Sequence, residues 1–486
     1  MKTWRILAIV LFVLLGSYLI AQTTSSGDAG SFVSVNAPVF VLTHVRVIDG
    51  TGAAAKEDQA IVVVNGKIQA VGPAASTLAP AGAQVFDKGG YTVIPGLVGM
   101  HNHLYYTDSV SVQRGPDGKL GEPGLFVMEI AYTAPRLYLA SGVTTMRTTG
   151  SVEPYTDLKD KQRIDAGLMP GPKMDLSAPY LEGKPTLFAQ MHELTGVADA
   201  KRLVDYWAEE GMTSYKAYMN ITRDELKAAI DAAHAHHRKL TGHLCSVTWP
   251  EAIALGIDDL EHGPVFTDTE FVTDKKPDVC PQDRRDTWAK LDINDPQVQR
   301  LITDLVSHHV AVTSTLPVFE AFLPGRPKLQ PRVMDAMSAE AAQSYLAARA
   351  RIPLDSPITA LYKKETDFEV AFARAGGLLL TGPDPTGNGG ALPGFGDQRG
   401  VELLVEAGFT PVEAIKIATL NGATYLDQQD RIGSIALGKE ADLVLIKGDP
   451  SKSIEEIENV ETVFKDGVGY DSKKLIDSVR GQVGIR

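Results

Sequence analysis

From Gly96 onward, short apolar runs alternate with longer stretches of helical periodicity, and this alternation limits the fold more than any other feature of the 486-residue chain. Apolar, strand-like runs predict strands at 97–103, 143–148, 174–178, 214–219, 240–244, 259–262, 310–316 and 378–381. Helical patterns between them predict helices at 126–141, 198–210, 223–237, 296–309 and 364–375. The alternation predicts parallel βα units, and the number of strands fits an α/β fold of the (β/α)8 barrel type.

The first predicted barrel strand ends in His101-Asn102-His103. Strand side chains alternate between faces, so both imidazoles project from one face and form half of a divalent-metal site. A lone pair of this kind is weak evidence, but further candidate ligands follow at the ends of later strands, where barrel active sites gather. These are Lys216, His243, His262 and Asp384.

The residue types in this set predict a zinc centre. Four histidines and one aspartate provide five donors that suit Zn²⁺. Two close dications need a bridging anion, which Lys216 would supply if CO2 carbamylated its amine. A hydroxide shared by the ions would be the nucleophile, and Asp384 would take its proton and pass it to a leaving amine. The alternative is an ordinary Lys216 with one metal ion on His101, His103, His243 and Asp384.

The two ends of the chain have β character instead. Residues 39–48 and 60–64 read as strands, and Asn65-Gly66 before residues 67–71 predicts a hairpin. Residues 432–437, 442–446 and 461–465 return to this pattern. The expected organisation is a signal peptide (1–21), a linker (22–38), a β segment (39–95), a barrel (96–430) and a second β segment (431–486).

The first 21 residues have the pattern of an export signal. Lys2 and Arg5 precede an apolar run at 6–20, and cleavage after Ala21 is predicted. Leu19 is larger than the residue usual at its position, so an uncleaved membrane anchor is the alternative. The protein is therefore expected in the periplasm or secreted, with membrane contact only if this segment stays attached.

Charge and cysteine content limit the partners. A formal charge of −13 without a basic stripe argues against nucleic acid. An exported protein could join its two cysteines, Cys245 and Cys280, but two cysteines are no disulfide framework, and the favoured expectation is a small buried Cys245 and an unpaired loop thiol at Cys280. The long segments 105–123, 265–292 and 317–332, and the glycine-rich run 387–390, are expected to be loops near the active-site mouth.

The order His-x-His, Lys, His, His, Asp on successive strands resembles the amidohydrolase superfamily. The supporting motifs are Pro95-Gly96-Leu97-Val98-Gly99-Met100-His101-Asn102-His103, Leu260-Glu261-His262-Gly263, and Gly433-Ser434-Ile435 with Gly438-Lys439-Glu440-Ala441-Asp442-Leu443-Val444. The resemblance implies a composite β-sandwich formed by both terminal segments. It also implies a more buried metal ion on His101, His103 and Asp384, a more exposed one on His243 and His262, and carbamylated Lys216 between them.

Within the superfamily, the chain is most similar to metal-dependent dipeptidases and carboxypeptidases that act on Xaa-Pro dipeptides or N-acyl amino acids, and to the imidazolonepropionase-related branch. Arg147, in the run Gly142-Val143-Thr144-Thr145-Met146-Arg147, is expected to bind a substrate carboxylate. His192 and Tyr218 are expected to bind substrate and polarise its scissile carbonyl. The catalytic set is then Asp384, His262 and Tyr218, in an enzyme expected to be a homo-oligomer.

One position departs from the family pattern, and three other functions stay open. Gly99 stands where the family usually has an acidic residue, whose absence could loosen the first ligand pair. The alternatives to a two-zinc amide or peptide hydrolase are a mononuclear hydrolase of cyclic amidines or imidazolones, a lactonase or esterase with the same site, and a non-catalytic barrel.

Overall fold

The computed structural model describes residues 27–108, 126–128, 130–186, 188, 190–281, 284–385 and 390–485. The predicted signal peptide, the first residues of the predicted linker, and most of segments 105–123 and 387–390 lie outside the described residues. Among those described, no helix combines the length and apolar character needed to cross a membrane.

The strands, in chain order, are β1 (Val33–Val35), β2 (Val39–Val47), β3 (Lys56–Val64), β4 (Lys67–Pro73), β5 (Gln84–Asp87), β6 (Tyr91–Pro95), β7 (Leu97–Asn102), β8 (Tyr106–Asp108), β9 (Phe126–Met128), β10 (Val143–Thr148), β11 (Lys173–Asp175), β12 (Ser214–Ala217), β13 (Lys239–Gly242), β14 (Asp259–Glu261), β15 (Ala311–Ser314), β16 (Leu379–Thr381), β17 (Leu443–Lys447), β18 (Val460–Lys465) and β19 (Val468–Asp471).

The helices are α1 (Thr133–Ala140), α2 (Pro154–Asp165), α3 (Val197–Glu210), α4 (Arg223–Ala235), α5 (Trp249–Leu255), α6 (Pro264–Thr267), α7 (Arg284–Lys290), α8 (Pro296–Ser307), α9 (Leu316–Glu320), α10 (Pro331–Ala336), α11 (Ala339–Ala350), α12 (Ile358–Arg374), α13 (Phe395–Ala407), α14 (Pro411–Lys416), α15 (Gly422–Tyr425) and α16 (Ser472–Asp477). The helix predicted at 126–141 begins later than expected, because 126–128 pair as β9 with β8.

The predicted barrel is confirmed. Strands β7, β10 and β11 pair in parallel, as do β12 to β16 in order. Parallel bridges Ser177–Ser214 and Leu181–Ala217 join the two groups. At the other seam, the Asp384 N–H donates to the His101 carbonyl at 3.0 Å. All eight predicted strands are therefore present, and the seam itself brings two candidate ligands together.

The helices begin and end where local sequence signals require. Thr222 and Glu225 form a reciprocal capping box at the start of α4, whose buried face includes Leu226 and Ile230. Gly211 ends α3 with a φ of 103°, a left-handed conformation that glycine adopts at little cost. These apolar faces pack against the strands, so the core lies between barrel and helices.

Both ends of the chain contribute to one further sheet, as predicted. Strand β17 pairs antiparallel with β6, which joins the C-terminal strands β18 and β19 to the N-terminal ones. Asn65 and Gly66 both have positive φ in the predicted hairpin turn between β3 and β4. Because only Gly96 separates β6 from β7, the composite sheet joins the barrel at the start of its first strand.

Two boundaries differ from the prediction. Residues 33–35, assigned to the linker, form β1 and pair with β19. Residues 432–437, expected to be a strand, are irregular, because the Lys439 ammonium bonds the Ile432 carbonyl and the Ser434 hydroxyl and holds the segment in a loop.

The expectation of unpaired cysteines is wrong, because Cys245 and Cys280, 35 positions apart, form a disulfide. The bridge connects the segment after β13 to the long segment after α6. The Thr269 hydroxyl also donates to the Cys245 carbonyl at 2.9 Å. The loop after β14 is thereby fixed beside the end of β13, where His243 lies.

Candidate metal centre and active site

The structure brings all six predicted ligands to the C-terminal end of the barrel. His101 lies in β7 and Lys216 in β12, and the other four follow β7, β13, β14 and β16. His101, His103, Lys216, His262 and Asp384 are buried, whereas His243 is partly exposed. His243 alone is the more open of the six, since His262 is as buried as the ligands expected for the deeper ion.

His101, His103 and Asp384 form the tightest group, with one potential ligand atom from each residue within 4.8 Å of the others. Asp384 Oδ1 lies 3.1 Å from His103 Nε2 and 3.5 Å from His101 Nε2. The Tyr138 hydroxyl donates to the His103 carbonyl at 2.8 Å and anchors this turn. Two imidazoles and a carboxylate at these separations match the donor set of a divalent-metal site.

His262 and His243 lie next to this group. The ring of His262 is 4.5 Å from that of His101 and 4.3 Å from that of His243, centroid to centroid. His262 Nδ1 is 2.8 Å from the Thr315 hydroxyl, while buried Nε2 has no hydrogen-bond partner among the described residues. A buried imidazole nitrogen without a partner is costly unless it binds something, so this atom fits a metal ligand.

Lys216 extends into the middle of the group. Its Nζ lies 3.1 Å from His101 Nε2, and it faces the rings of Tyr180 and Tyr218 at 5.5 and 5.7 Å. Burial lowers the pKa of the Lys216 amine to about 8, against the opposing effect of Glu261 and Asp384. A larger fraction of this lysine is therefore the neutral amine near neutral pH than for an exposed lysine.

The Asp384 carboxyl is held as an anion. Burial would raise its pKa, but the imidazoles of His101 and His103 and the Lys216 ammonium hold the pKa below its ordinary value. The Asp384 backbone has a φ of 49°, a left-handed conformation uncommon for a residue with a side chain. The hydrogen bond from its backbone N–H to the His101 carbonyl holds this conformation. Backbone conformation and charge together therefore fix the carboxylate at the site.

Arg147 does not have the expected role. Its guanidinium is buried inside the barrel, where it pairs with Asp259 at 2.8 Å and Glu261 at 2.7 Å. Its Nε also donates to the Met100 carbonyl at 2.9 Å. These carboxylates raise the pKa of Arg147 although burial opposes them. The expectation that Arg147 binds a substrate carboxylate is therefore wrong, because its guanidinium already bonds protein groups.

Glu261 connects this ion pair to the metal ligands. One carboxylate oxygen accepts from Arg147 and from the Thr241 hydroxyl at 2.6 Å, and the other lies 2.6 Å from His101 Nδ1. A carboxylate on one imidazole nitrogen fixes the tautomer and turns the other nitrogen toward a metal. The sequence offered a signal, since Glu261 stands in the motif that identified His262.

The carboxylate of Asp397, from helix α13, occupies the space beside Gly99 in strand β7. A Cβ added to Gly99 would lie 2.2 Å from Asn102 Nδ2 and 2.6 Å from Asp397 Oδ1. Buried Asp397, in α13, accepts from Asn102 at 3.2 Å and from the Gly394 amide at 3.0 Å. Asp397 thus supports the Asn102 side chain between the two histidines, and an acidic residue at position 99 would collide with it.

Tyr218 and His192 differ in their position. Tyr218 is partly exposed, and its ring centroid lies 4.9 Å from that of His243, at the site. The His192 side chain is 46% exposed, and its Nε2 lies 2.8 Å from an Asp199 carboxylate oxygen on α3. Tyr218 is therefore next to the ligands, whereas no contact in the described residues ties His192 to them, and its substrate role stays a prediction.

Aromatic residues that the sequence reading did not single out surround the ligands. Tyr105 stacks on His103 with centroids 4.6 Å apart, and its hydroxyl bonds that of Tyr180. Phe319, in α9, presents its ring edgewise to His262 at 5.8 Å. Single aromatic residues in long segments carry no periodic signal, so only the fold shows that they meet at the site.

Comparison with known proteins agrees with this architecture. The amidohydrolase family model matches residues 92–270 and 394–469. These stretches include five of the six candidate ligands, and Asp384 lies between them. An uncharacterized protein of Mycobacterium tuberculosis is 27% identical over 237 residues, which are 47% of this chain and 57% of that protein. The match thus spans little more than half the length of this curated relative.

Solved structures share the fold at low sequence identity. A Xaa-Pro dipeptidase with methionine bound in its active site has a TM-score of 0.64 and 18% identity, covering 89% of this chain and 100% of that one. A bottromycin amidohydrolase has a TM-score of 0.66 and 19% identity, covering 94% and 93%. At this identity the likeness establishes the barrel and its flanking sheet.

The contact between Glu261 and His101 generates the first prediction. Glu261→Gln should weaken zinc binding about 10- to 100-fold, because the amide no longer holds the His101 imidazole as the anion does. Competition with a chromophoric chelator measures this affinity. Glu402→Gln is the matched control, since Glu402 is also buried and paired with an arginine, Arg399 at 2.6 Å, but lies outside the site. Equal zinc affinities for the two variants would remove Glu261 from the support of the ligand.

The packing around Gly99 generates the second prediction. Gly99→Asp should lower the free energy of unfolding by about 1–3 kcal/mol through overpacking against Asp397. Adding Asp397→Ala should recover part of that loss in a double-mutant cycle measured by urea unfolding. Gly30→Asp is the control, because an added Cβ there meets no atom within 4 Å. Additive losses would show that residues 99 and 397 do not compete for space.

Proposed function

The chain belongs to the amidohydrolase family, hydrolases that act on carbon–nitrogen bonds, and we propose that it cleaves the amide bond of a small dipeptide or N-acyl amino acid at a two-zinc site. The observation that carries the proposal is the convergence of His101, His103 and Asp384 beside His262, whose Nε2 has no hydrogen-bond partner among the residues that the structure describes. Bound divalent ions would supply an acidified water and a polarised carbonyl.

The residues have separate tasks in this proposal. His101, His103 and Asp384 would hold the deeper ion, and His243 and His262 the more open one. The Lys216 amine lies 3.1 Å from His101 Nε2, a position from which its carbamate would reach between the two groups. Formation of that carbamate joins the neutral amine to CO2 and releases one proton.

Proton transfer is assigned to Asp384, whose carboxylate is anionic and buried among the histidines. It would accept a proton from the attacking water and deliver it to the leaving amine. The Tyr218 ring is 4.9 Å from that of His243. Its hydroxyl would donate a hydrogen bond to the oxygen of the scissile carbonyl as negative charge develops there.

Export is part of the proposal. The disulfide between Cys245 and Cys280 supports it, because such bonds persist in oxidising compartments such as the periplasm or the exterior. The charged and apolar N-terminal segment supports the same location.

The test of the function is turnover of a panel by the zinc-loaded chain, with Xaa-Pro dipeptides, N-acyl amino acids and lactones. We expect amide hydrolysis that Asp384→Ala and His262→Ala each reduce by about 10²–10⁴-fold. Asp160→Ala, a change at a buried carboxylate in α2, should keep activity. Turnover of lactones alone would contradict the amide assignment, and an active Asp384→Ala variant would remove Asp384 from proton transfer.

Lys216 has its own test. Lys216→Ala should lose most activity, and added acetate or propionate should restore part of it, because a small carboxylate can take the place of the carbamate. Lys216→Arg should stay inactive and should lack the carbamate signal that ¹³C-bicarbonate gives in the wild-type spectrum. A Lys216→Ala variant that binds two ions and works without added acid would overturn the bridge and favour an ordinary lysine.

A further inference from the structure

Two partly exposed aromatic rings, those of Tyr218 and Phe319, lie next to His243 and His262. The Tyr218 ring lies 4.9 Å from His243, the His243 ring 4.3 Å from His262, and the His262 ring 5.8 Å from Phe319. Tyr218 follows β12 and Phe319 lies in α9, after β15. In the sheet, β12 and β15 stand on either side of β13 and β14, so the two rings come from either side of His243 and His262.

Each of these rings is supported by buried aromatic residues. Phe319 stacks on Phe266 with centroids 3.8 Å apart and planes 6° from parallel. Tyr218 packs edgewise on Tyr180 at 5.0 Å and on Phe188 at 6.4 Å. Phe266, Tyr180 and Phe188 are buried, so they hold the two outer rings as fixed surfaces.

The charged groups around the site have other partners. Arg147 pairs with Asp259 and Glu261 inside the barrel, and the Lys216 amine lies against His101. Besides Thr315, which bonds His262 Nδ1, the described side chains that contact His243 and His262 from outside the candidate ligands include the two rings of Tyr218 and Phe319. Aromatic surfaces attract flat apolar groups through burial and ring–ring contact.

We infer that the substrate carries a planar apolar group next to its scissile bond, seated between Tyr218 and Phe319. This inference rests on the proposed function and specifies its substrate class: dipeptides or N-acyl amino acids with an aromatic acyl or amine part. Phe319 is then a specificity-determining residue, because its ring would touch the substrate and takes no part in metal binding or proton transfer.

Binding of two hydroxamates tests the inference without turnover. Benzohydroxamate and acetohydroxamate differ by phenyl against methyl, and calorimetry on the zinc-loaded chain gives both affinities. Wild-type protein should bind benzohydroxamate at least tenfold tighter, and Phe319→Ala should reduce the ratio to threefold or less. Phe322→Ala is the control, since Phe322 is 39% exposed just beyond the same helix, and it should keep the wild-type ratio.

Hydrolysis supplies the second readout. N-benzoylalanine and N-acetylphenylalanine place the ring on either side of the amide, with N-acetylalanine as reference. At least one ring-bearing compound should exceed the reference tenfold in kcat/KM, and Phe319→Ala should remove that preference while N-acetylalanine is still hydrolysed.

The outcomes separate this inference from the proposed function. Hydrolysis with no ring preference in either readout, or a preference that Phe319→Ala leaves unchanged, overturns the inference and leaves amide hydrolysis intact. Absence of hydrolysis, together with a Phe319-dependent preference for benzohydroxamate, contradicts the proposed function and supports the aromatic subsite.

Discussion

The ion pair of Arg147 with Asp259 and Glu261 inside the barrel is the interaction on which the site depends. Charges removed from water are tolerated only when paired and hydrogen-bonded, and here Thr241 and Thr313 add hydroxyl contacts to the carboxylates. Glu261 is shared between Arg147 and His101, so the charge balance of the barrel interior also sets the orientation of a candidate metal ligand. Loss of Arg147 would leave two buried carboxylates close together below the site.

Backbone geometry adds a second constraint at the seam of the barrel. The Asp384 backbone N–H donates a hydrogen bond to the His101 carbonyl, and a Cβ added to Gly382 would lie 2.2 Å from the backbone nitrogen of His101. Glycine therefore allows the last barrel strand to approach the first closely enough for Asp384 to reach both histidines. On the outer side of β7, Asp397 and Asn102 fill the space beside Gly99. The Asp397 carboxylate from α13 thus takes the place of the acidic side chain that Gly99 lacks.

The barrel strands and the convergence of the candidate ligands could be predicted from the sequence because both depend on local patterns. Buried parallel strands are short apolar runs, and ligands at strand ends appear in chain order. The partners of Arg147 could not be predicted in the same way, because β10 and β14 are not neighbours in the sheet and meet only across the barrel interior. The contact of Asp397 with Asn102 beside Gly99 could not be predicted either, because Asp397 lies in a helix far along the chain from Gly99. Strand β1 was assigned to a linker since three residues give too little alternation to distinguish a strand.

In the proposed centre, His101, His103, Asp384, His243 and His262 form one site for two ions. Anomalous diffraction from a crystal of the zinc-loaded chain measures this directly. Two peaks about 3.5–4 Å apart are expected, one contacting His101, His103 and Asp384 and the other contacting His243 and His262. A single peak, or zinc bound away from these residues, would contradict the account.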